Sequence, residues 1–355
     1  MQAQNSKIDP AARAAYFAQA TRQNWQMLPA VAGADSATIQ VSIPKVRLLS
    51  KIRLLVTATL TAQHAGNVTY VPNPFAPYNY LRNVRLEINN GFAPFNLSGR
   101  DLYFYNLVRG DAAGLTPAVA GRGKVIQGLT SSPAPGTANV VRFLVDLPVT
   151  LNDRDPVGLM LLQNEETTVT LTVDFNTMNA LAPAAAGYTF ATTAVTVIPM
   201  IETFSIPAVK EATPDLSILK LVHSKTETVT GAGVHTLTLP TGQTYRKLLI
   251  YIADAAGGEA DGDIAGNFEL VLNQADIPFL IRPSVLAAIN HEQFNTVLPQ
   301  GLWVFDFSYQ GLSGYGGSRD WIDTERLTEF WFRFNAAAAG SITAVYETLS
   351  KLRTA

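Results

Sequence analysis

The chain contains no cysteine. Disulfides, thiolate catalysis and cysteine-held metal centres are therefore excluded, and the redox compartment is left unmarked. Histidine is scarce as well. The four residues His64, His223, His235 and His291 show no paired spacing along 355 positions, which removes the usual basis for a zinc site or a clustered-histidine enzyme. His235 reads as a strand-end residue rather than a ligand. Charge is sparse too, at 15% of residues against roughly 25% in ordinary soluble domains. With a net charge of −2, no basic field draws nucleic acid, and direct nucleic-acid binding is not expected. A long apolar run is also missing. The one extended uncharged stretch, Asn176 to Ile201, is interrupted by Pro183, Gly187 and Pro199. It reads as a loop feeding a strand over Ala194–Phe204, not as a membrane span. Lys7, Arg13 and Arg22 are scattered through the first residues without a continuous apolar core, unlike a secretory leader. The sequons at Asn67 and Asn96 then carry no weight.

What is present is a pattern written twice. Ile39-x-Val41-x-Ile43-Pro44 and the run from Lys51 to Val56 return as His235-x-Leu237-x-Leu239-Pro240 and the run from Lys247 to Ile252, both 196 positions on. Asn83-x-x-Leu86-x-Ile88-Asn89 with Pro94-Phe95 returns 184 positions on as Asn267-x-x-Leu270-x-Leu272-Asn273 with Pro278-Phe279. A third block aligns Thr170–Asn176 with Glu329–Asn335 at an offset of 159. A fourth aligns Ile201-Glu202-Thr203-Phe204 with Tyr346-Glu347-Thr348-Leu349 at 145. The falling offsets predict one β-rich unit fused to a second copy with shorter loops. A repeat of this length is a domain rather than a solenoid turn.

The expected organisation has three parts: a helical N-terminal arm over 1–35, a first β-domain over 36–210, and a second over 211–355. In the arm, Asp9-Pro10 starts a helix running to about Trp25. Pro29 and Gly33 end it. Period-two alternation marks strands such as Val141-x-Phe143-x-Val145-x-Leu147 and Val169-x-Leu171-x-Val173-x-Phe175. Gly- and Pro-rich loops are expected near 110–123 and 131–137, and Ser205–Asp215 reads as the linker. Short helices are expected near Gly99–Val108, Val157–Asn164 and Pro283–Asn290. The fold class is all-β: two tandem eight-stranded jelly rolls with short inserted helices, with an immunoglobulin-like sandwich as the competitor.

Candidate chemistry is thin. Gly311-Leu312-Ser313-Gly314 lacks the context of a nucleophile elbow, and Gly121-Arg122-Gly123-Lys124 lacks the spacing of a phosphate loop. Asp254, Glu259, Asp261 and Asp263 form the most acidic local cluster. They suit either a calcium loop or a solvated glycine-rich turn. Glu202 and Glu347 fall at equivalent places in the two copies, so they are read as a shared feature of the last strand and not as a paired glycosidase centre. The aromatics Trp303, Phe305 and Phe307, with Phe330, Phe332 and Phe334, read as core. Trp331 points the other way, towards a partner domain, a neighbouring subunit or a sugar. No cofactor and no enzymatic activity are expected.

Two tandem jelly rolls after a helical arm resemble the double jelly-roll major capsid proteins of tailless, membrane-containing icosahedral bacteriophages, the tectivirus-like group. The resemblance rests on Pro240–Tyr245 leading into a strand, on Asn83–Ile88, and on the closing strands ending Phe175-Asn176 and Phe334-Asn335. It implies a homotrimer whose six rolls form a pseudo-hexagonal capsomer of a virion with an internal membrane. Further implied partners are neighbouring capsomers and vertex (penton) or minor capsid proteins, with synthesis in the host cytoplasm. The arm, through Arg13, Tyr16, Phe17, Arg22 and Trp25, would face the viral membrane or dock on its own trimer. The alternative is a lectin-like, carbohydrate-binding jelly roll.

Overall fold

The computed structural model describes residues 10–63, 73, 75–89, 91–109, 138–151, 156–163, 167–181, 189–208, 212–214, 216, 218–254, 257–308 and 322–351. The motifs at 121–124 and 311–314, the sequon at Asn67 and the loops at 110–123 and 131–137 lie outside these residues. By contacts the chain divides into two compact units. Unit 1 takes residues 1–95, 116–220 and 351–355; unit 2 takes 96–115 and 221–350.

In unit 1, helix α1 (Pro10–Ala20) is followed by β1 (Gln23–Met27), β2 (Val31–Gly33), β3 (Thr38–Ser42), β4 (Leu48–Gln63) and β5 (Leu81–Ile88). Strand β6 (Phe92–Leu97) comes next, and its last two residues already belong to unit 2. After α2 (Gly99–Arg109), itself in unit 2, unit 1 resumes with β7 (Ala138–Pro148), β8 (Met160–Leu161), β9 (Val169–Phe175) and β10 (Thr189–Phe204). One sheet runs β1-β10-β4-β7, with β2 on β10 and β8 on β4; the other contains β3-β9-β5-β6. Alternation decides which side is buried. Ile52, Leu54, Val56, Ala58 and Leu60 of β4 are essentially inaccessible, as are Phe143 and Val145 of β7 and Leu171, Val173 and Phe175 of β9. Tyr78 packs edge-on to Phe143 at 5.3 Å, and Tyr80 meets Phe175 at 5.2 Å.

Unit 2 contains most of β11 (Ile218–Val229), then β12 (Gly233–Thr238), β13 (Thr244–Asp254), β14 (Phe268–Leu272), β15 (Asp276–Ile281), α3 (Pro283–Phe294), β16 (Leu302–Asp306), β17 (Ile322–Asp323), β18 (Phe330–Ala336) and β19 (Gly340–Lys351). Its sheets run β16-β13-β19-β11, with β17 on β13, and β12-β18-β14-β15. Trp303, Phe268, Phe330 and Phe332 fill its centre with edge-on and tilted ring contacts.

Both units share one wiring. In unit 1 the pairs β1–β10, β3–β9, β4–β7 and β5–β6 nest inside one another and are joined by β10–β4 and β9–β5. In unit 2 the pairs are β11–β19, β12–β18, β13–β16 and β14–β15, joined by β19–β13 and β18–β14. Nested first-with-last pairing over two sheets is the jelly roll, and the chain is a double jelly roll.

The repeat holds residue by residue. Lys51 pairs with Glu202 in β4–β10, and Lys247 pairs with Glu347 in β13–β19. One residue before each lysine an extra residue is bulged out, Ser50 in the first copy and Arg246 in the second. The third block needs a correction. Leu86 pairs with Leu171, and its counterpart Leu270 pairs with Phe332. The true offset there is 161, two more than the sequence match gave. Two residues are a full strand period, so inward and outward faces survive the slip.

Other boundaries also move. The arm expected over 1–35 is helical only to Ala20; Gln23–Met27 and Val31–Gly33 are strands on β10 and complete the first roll. No helix forms at 157–164 among the described residues; Met160–Leu161 bridges to Leu48 and Leu49 instead. Helix α2, expected in the first domain, belongs by contacts to unit 2, and unit 2 begins its long run at Leu221 instead of 211.

Candidate assembly surfaces

The outward side of the β1-β10-β4-β7 sheet carries three cross-strand rows. The first is Trp25, Glu202, Lys51 and Pro148; the second is Met27, Met200, Arg53 and Asp146; the third is Ile198, Leu55 and Leu144. Trp25 and Met27 are 61% and 71% exposed, while Met200, Ile198, Leu55 and Leu144 are half-buried. Arg53 organises the polar part. Its Nε lies 2.9 Å from Glu202 Oε1 and 3.6 Å from Asp146 Oδ1, and its guanidinium sits 5.9 Å from the Trp25 ring. The result is an apolar face with a charged centre, open to solvent.

The matching face of unit 2 has the rows Glu347, Lys247, Asp306; then Val345, Leu249, Val304; then Thr343, Tyr251, Leu302. Here Leu249, Val304, Thr343, Val345 and Glu347 are at most 1% exposed. Helix α2 lies against this face. Ser98 starts the helix by accepting the Asp101 N–H on its hydroxyl at 3.1 Å. Arg100 donates to Thr343 Oγ1 at 3.1 Å and stacks 5.1 Å over Tyr251. Phe104 meets Tyr251 at 5.0 Å. The Tyr105 hydroxyl donates to Glu347 Oε2 at 2.5 Å, and Glu347 Oε1 accepts from Arg246 at 2.7 Å. Burial, reinforced by the Glu347 charge, pushes the Tyr105 phenol well above its ordinary range.

Helix α3 is the counterpart of α2. Pro283 occupies its first turn, and Asn295 ends it in the left-handed conformation with φ of 49°. It is fixed to its own roll by one side. Asn290 donates its amide to Val304 O and accepts the Val304 N–H, both at 2.8 Å, and Leu286 enters the core. The other side is bare: Ser284, Val285, Ala288, Ile289 and Glu292 are exposed. Ile277, Phe279 and Leu280 on the neighbouring edge strand β15 are exposed as well.

The arm residues are divided between α1, β1 and the short link that joins them. Phe17 is buried with Leu48 and Leu159 and lies edge-on to Phe204 at 5.3 Å, so it anchors α1 on unit 1 and is not available to lipid. Tyr16 and Arg22 are exposed, the latter's backbone N–H donating to Ser205 Oγ. Trp25 stands on β1, and Arg13 lies in α1. The acidic residues are engaged within their own loop. Asp254 accepts the Gly257 N–H, Asp263 the Ala260 N–H, and Asp261 the Trp303 indole N–H at 3.0 Å. Glu259 is buried. Among the described residues no group of histidine, cysteine, aspartate or glutamate side chains is arranged to hold a metal ion. The indole bond ties the exposed Asp261 to the core Trp303. Trp331 is half-buried on β18, and His235 is bonded to Gly231 O at 2.7 Å. Among the described residues no helix is long and apolar enough to cross a membrane.

Sequence reasoning missed Tyr105, Arg246 and Arg53 as functional contacts. The signal was present for Arg246, one position before a lysine already matched between copies. Tyr105 had none, because its partner lies 242 residues away.

No protein-family model matches the sequence. No curated protein matches it either. Solved structures do. The major capsid protein of Sulfolobus Turreted Icosahedral Virus matches with a TM-score of 0.70 at 15% identity, covering 93% of this chain and 97% of that one. The quasi-atomic model of the PBCV-1 virus capsid matches with a TM-score of 0.64 at 11% identity, covering 93% of each chain. The major capsid protein P2 from bacteriophage PM2 matches with a TM-score of 0.56 at 12% identity, covering 93% and 98%. Across nearly its whole length, then, the chain has the fold of double jelly-roll capsid proteins.

Proposed function

We propose that this chain is the major capsid protein of an icosahedral virion, a structural subunit and not an enzyme. The observation that carries the reading is the full-length match of two register-equivalent jelly rolls to solved capsid proteins, in chains of nearly the same extent. Duplication has a geometric use there. Three copies of a two-roll chain present six similar edges, and six edges tile a hexagonal lattice from one gene product. The proposed assembly is therefore a homotrimeric, pseudo-hexagonal capsomer that meets neighbouring capsomers and vertex or minor capsid proteins. Within this proposal the virion is that of a tailless bacteriophage with an internal membrane, and the protein is made in the host cytoplasm. Low charge and the two open apolar faces support burial against further copies. The exposed Tyr16 on α1 remains available to a membrane surface.

The test is the mass of the purified chain in solution by light scattering, with negative-stain images. A particle of three chains with a hexagonal outline is expected. A monodisperse monomer at all concentrations would overturn the proposal.

A further inference from the structure

Helices α2 and α3 occupy the same place in the two copies, between the paired strands β5–β6 and β7 in one and β14–β15 and β16 in the other. At the offset of 184, Gly99, Leu102 and Asn106 correspond to Pro283, Leu286 and Asn290, and all six are buried. The opposite faces differ. Asp101, Phe104, Tyr105 and Val108 are buried in unit 2, whereas their counterparts Val285, Ala288, Ile289 and Glu292 are exposed. Val285 and Ile289 are 47% and 42% exposed, on one side of the helix at a spacing of four.

The receiving surface is duplicated too, with the opposite occupancy. In unit 2, Tyr251, Thr343, Val345 and Glu347 are covered, and α2 supplies Arg100, Phe104 and Tyr105 to them. By register their counterparts in unit 1 are Leu55, Ile198, Met200 and Glu202. Leu55, Ile198 and Met200 are half-open, and the exposed Trp25 and Met27 stand beside them. Among its described residues the chain therefore holds one filled helix-on-sheet contact, one exposed helix face and one half-open sheet face, and the two latter correspond to the filled pair position by position.

We infer that α3 of one copy of this chain docks on the outward β1-β10-β4-β7 face of unit 1 in a second copy, repeating between chains the contact that α2 makes within unit 2. The occupant is a second copy because the free helix is a structural duplicate of the bound one. The chemistry agrees. In that register Ala288 meets Leu55, Ser284 meets Ile198 and Ile289 meets Glu202 with Met200 in the next row, and Glu292 brings a carboxylate to a face bearing Lys51, Arg53 and Arg142 beside Glu202 and Asp146. The contact is heterologous, helix to sheet, so it propagates head to tail and closes only as a ring. It deepens the capsomer proposal and rests on it.

The absence of cysteine makes the test clean. Leu55→Cys and Ala288→Cys replace the counterparts of Tyr251 and Phe104, whose rings touch at 5.0 Å. A short bis-maleimide should link chains carrying both substitutions into covalent dimers and three-chain rings on denaturing gels, and should link neither single variant. Ile289→Arg, on an exposed side chain, should turn a three-chain particle into monomers that still unfold cooperatively. If the native chain is trimeric yet the double variant does not cross-link and Ile289→Arg leaves the mass unchanged, this interface is wrong and the capsomer proposal stands. If the native chain is a monomer, both fall.

Discussion

Glu202 and Glu347 hold the same position in the two rolls but stand in different surroundings. Glu347 is fully buried, held between the Arg246 guanidinium and the Tyr105 hydroxyl. Removing it leaves a buried cation without its counter-charge, so Glu347→Ala should cost about 3–5 kcal/mol in denaturant unfolding. Glu202 faces Arg53, whose side chain is 26% exposed, and water can replace the lost partner. Glu202→Ala should cost about 1 kcal/mol or less. Both glutamates are buried, and equal losses at the two sites would contradict the contrast between the partly exposed Arg53 and the buried Arg246. Glu259 behaves differently again. Burial, then the carboxylates of Asp254 and Asp263, raise its pKa above the ordinary 4.5, against a hydrogen bond from the Ala337 backbone. The folded state thus favours the protonated acid. Its contribution is fully present below about pH 4.5 and is lost as pH rises through the raised value. Glu259→Gln should therefore be more stable than the parent at pH 7, and the gain should vanish below the ordinary carboxylate range. Thermal melts across pH would show it; a constant difference at every pH would refute it.

Among the elements, those with strict alternation were legible in the sequence: β3, β4, β7, β9, β12 and β18 stand where period two put them, and β13 where the repeat of β4 put it. The opening strand of each roll was not. Strand β1 reads Gln-Asn-Trp-Gln-Met with nearly every side chain in solvent, and β11 buries Leu219, Lys220, Leu221 and Val222 consecutively. Neither leaves a two-residue rhythm, since a strand open on both faces or covered on both has none. The acidic loop was ambiguous for another reason. Its packing depends on glycine backbones, where no side chain signals a contact. A Cβ on Gly301, at φ of 83°, would lie 2.5 Å from Ile252 O and 2.7 Å from the Gly258 Cα. Gly301→Ala should destabilise by about 2 kcal/mol or more, from backbone strain and collision together. At α3, Asn290→Ala strips both polar partners from Val304 in the core, and should cost about 2–3 kcal/mol. Both are readable from denaturant midpoints at unchanged slope.

At the scale of the whole molecule, the tandem repeat was the most legible property of the sequence, and the partnership between α2 and unit 2 the least. The repeat survives as matched residue types in matched order. The partnership depends on side chains such as Tyr105 and Thr343 that have no like-for-like counterpart in the other copy, Ile289 and Ile198 taking their places. If further copies complete the open faces, apparent stability must depend on mass action. The melting temperature should rise with protein concentration over about a hundredfold range, and the dependence should disappear in Ile289→Arg. A melting temperature independent of concentration in the parent chain would argue against assembly through these faces. One small irregularity reaches furthest back. The supernumerary residue, Ser50 in one roll and Arg246 in the other, interrupts the same strand at the same step. Two separate insertions would have no reason to coincide. The simplest history is that a single ancestral roll already carried this kink before the gene doubled, which makes it a fossil of the protein's single-domain past.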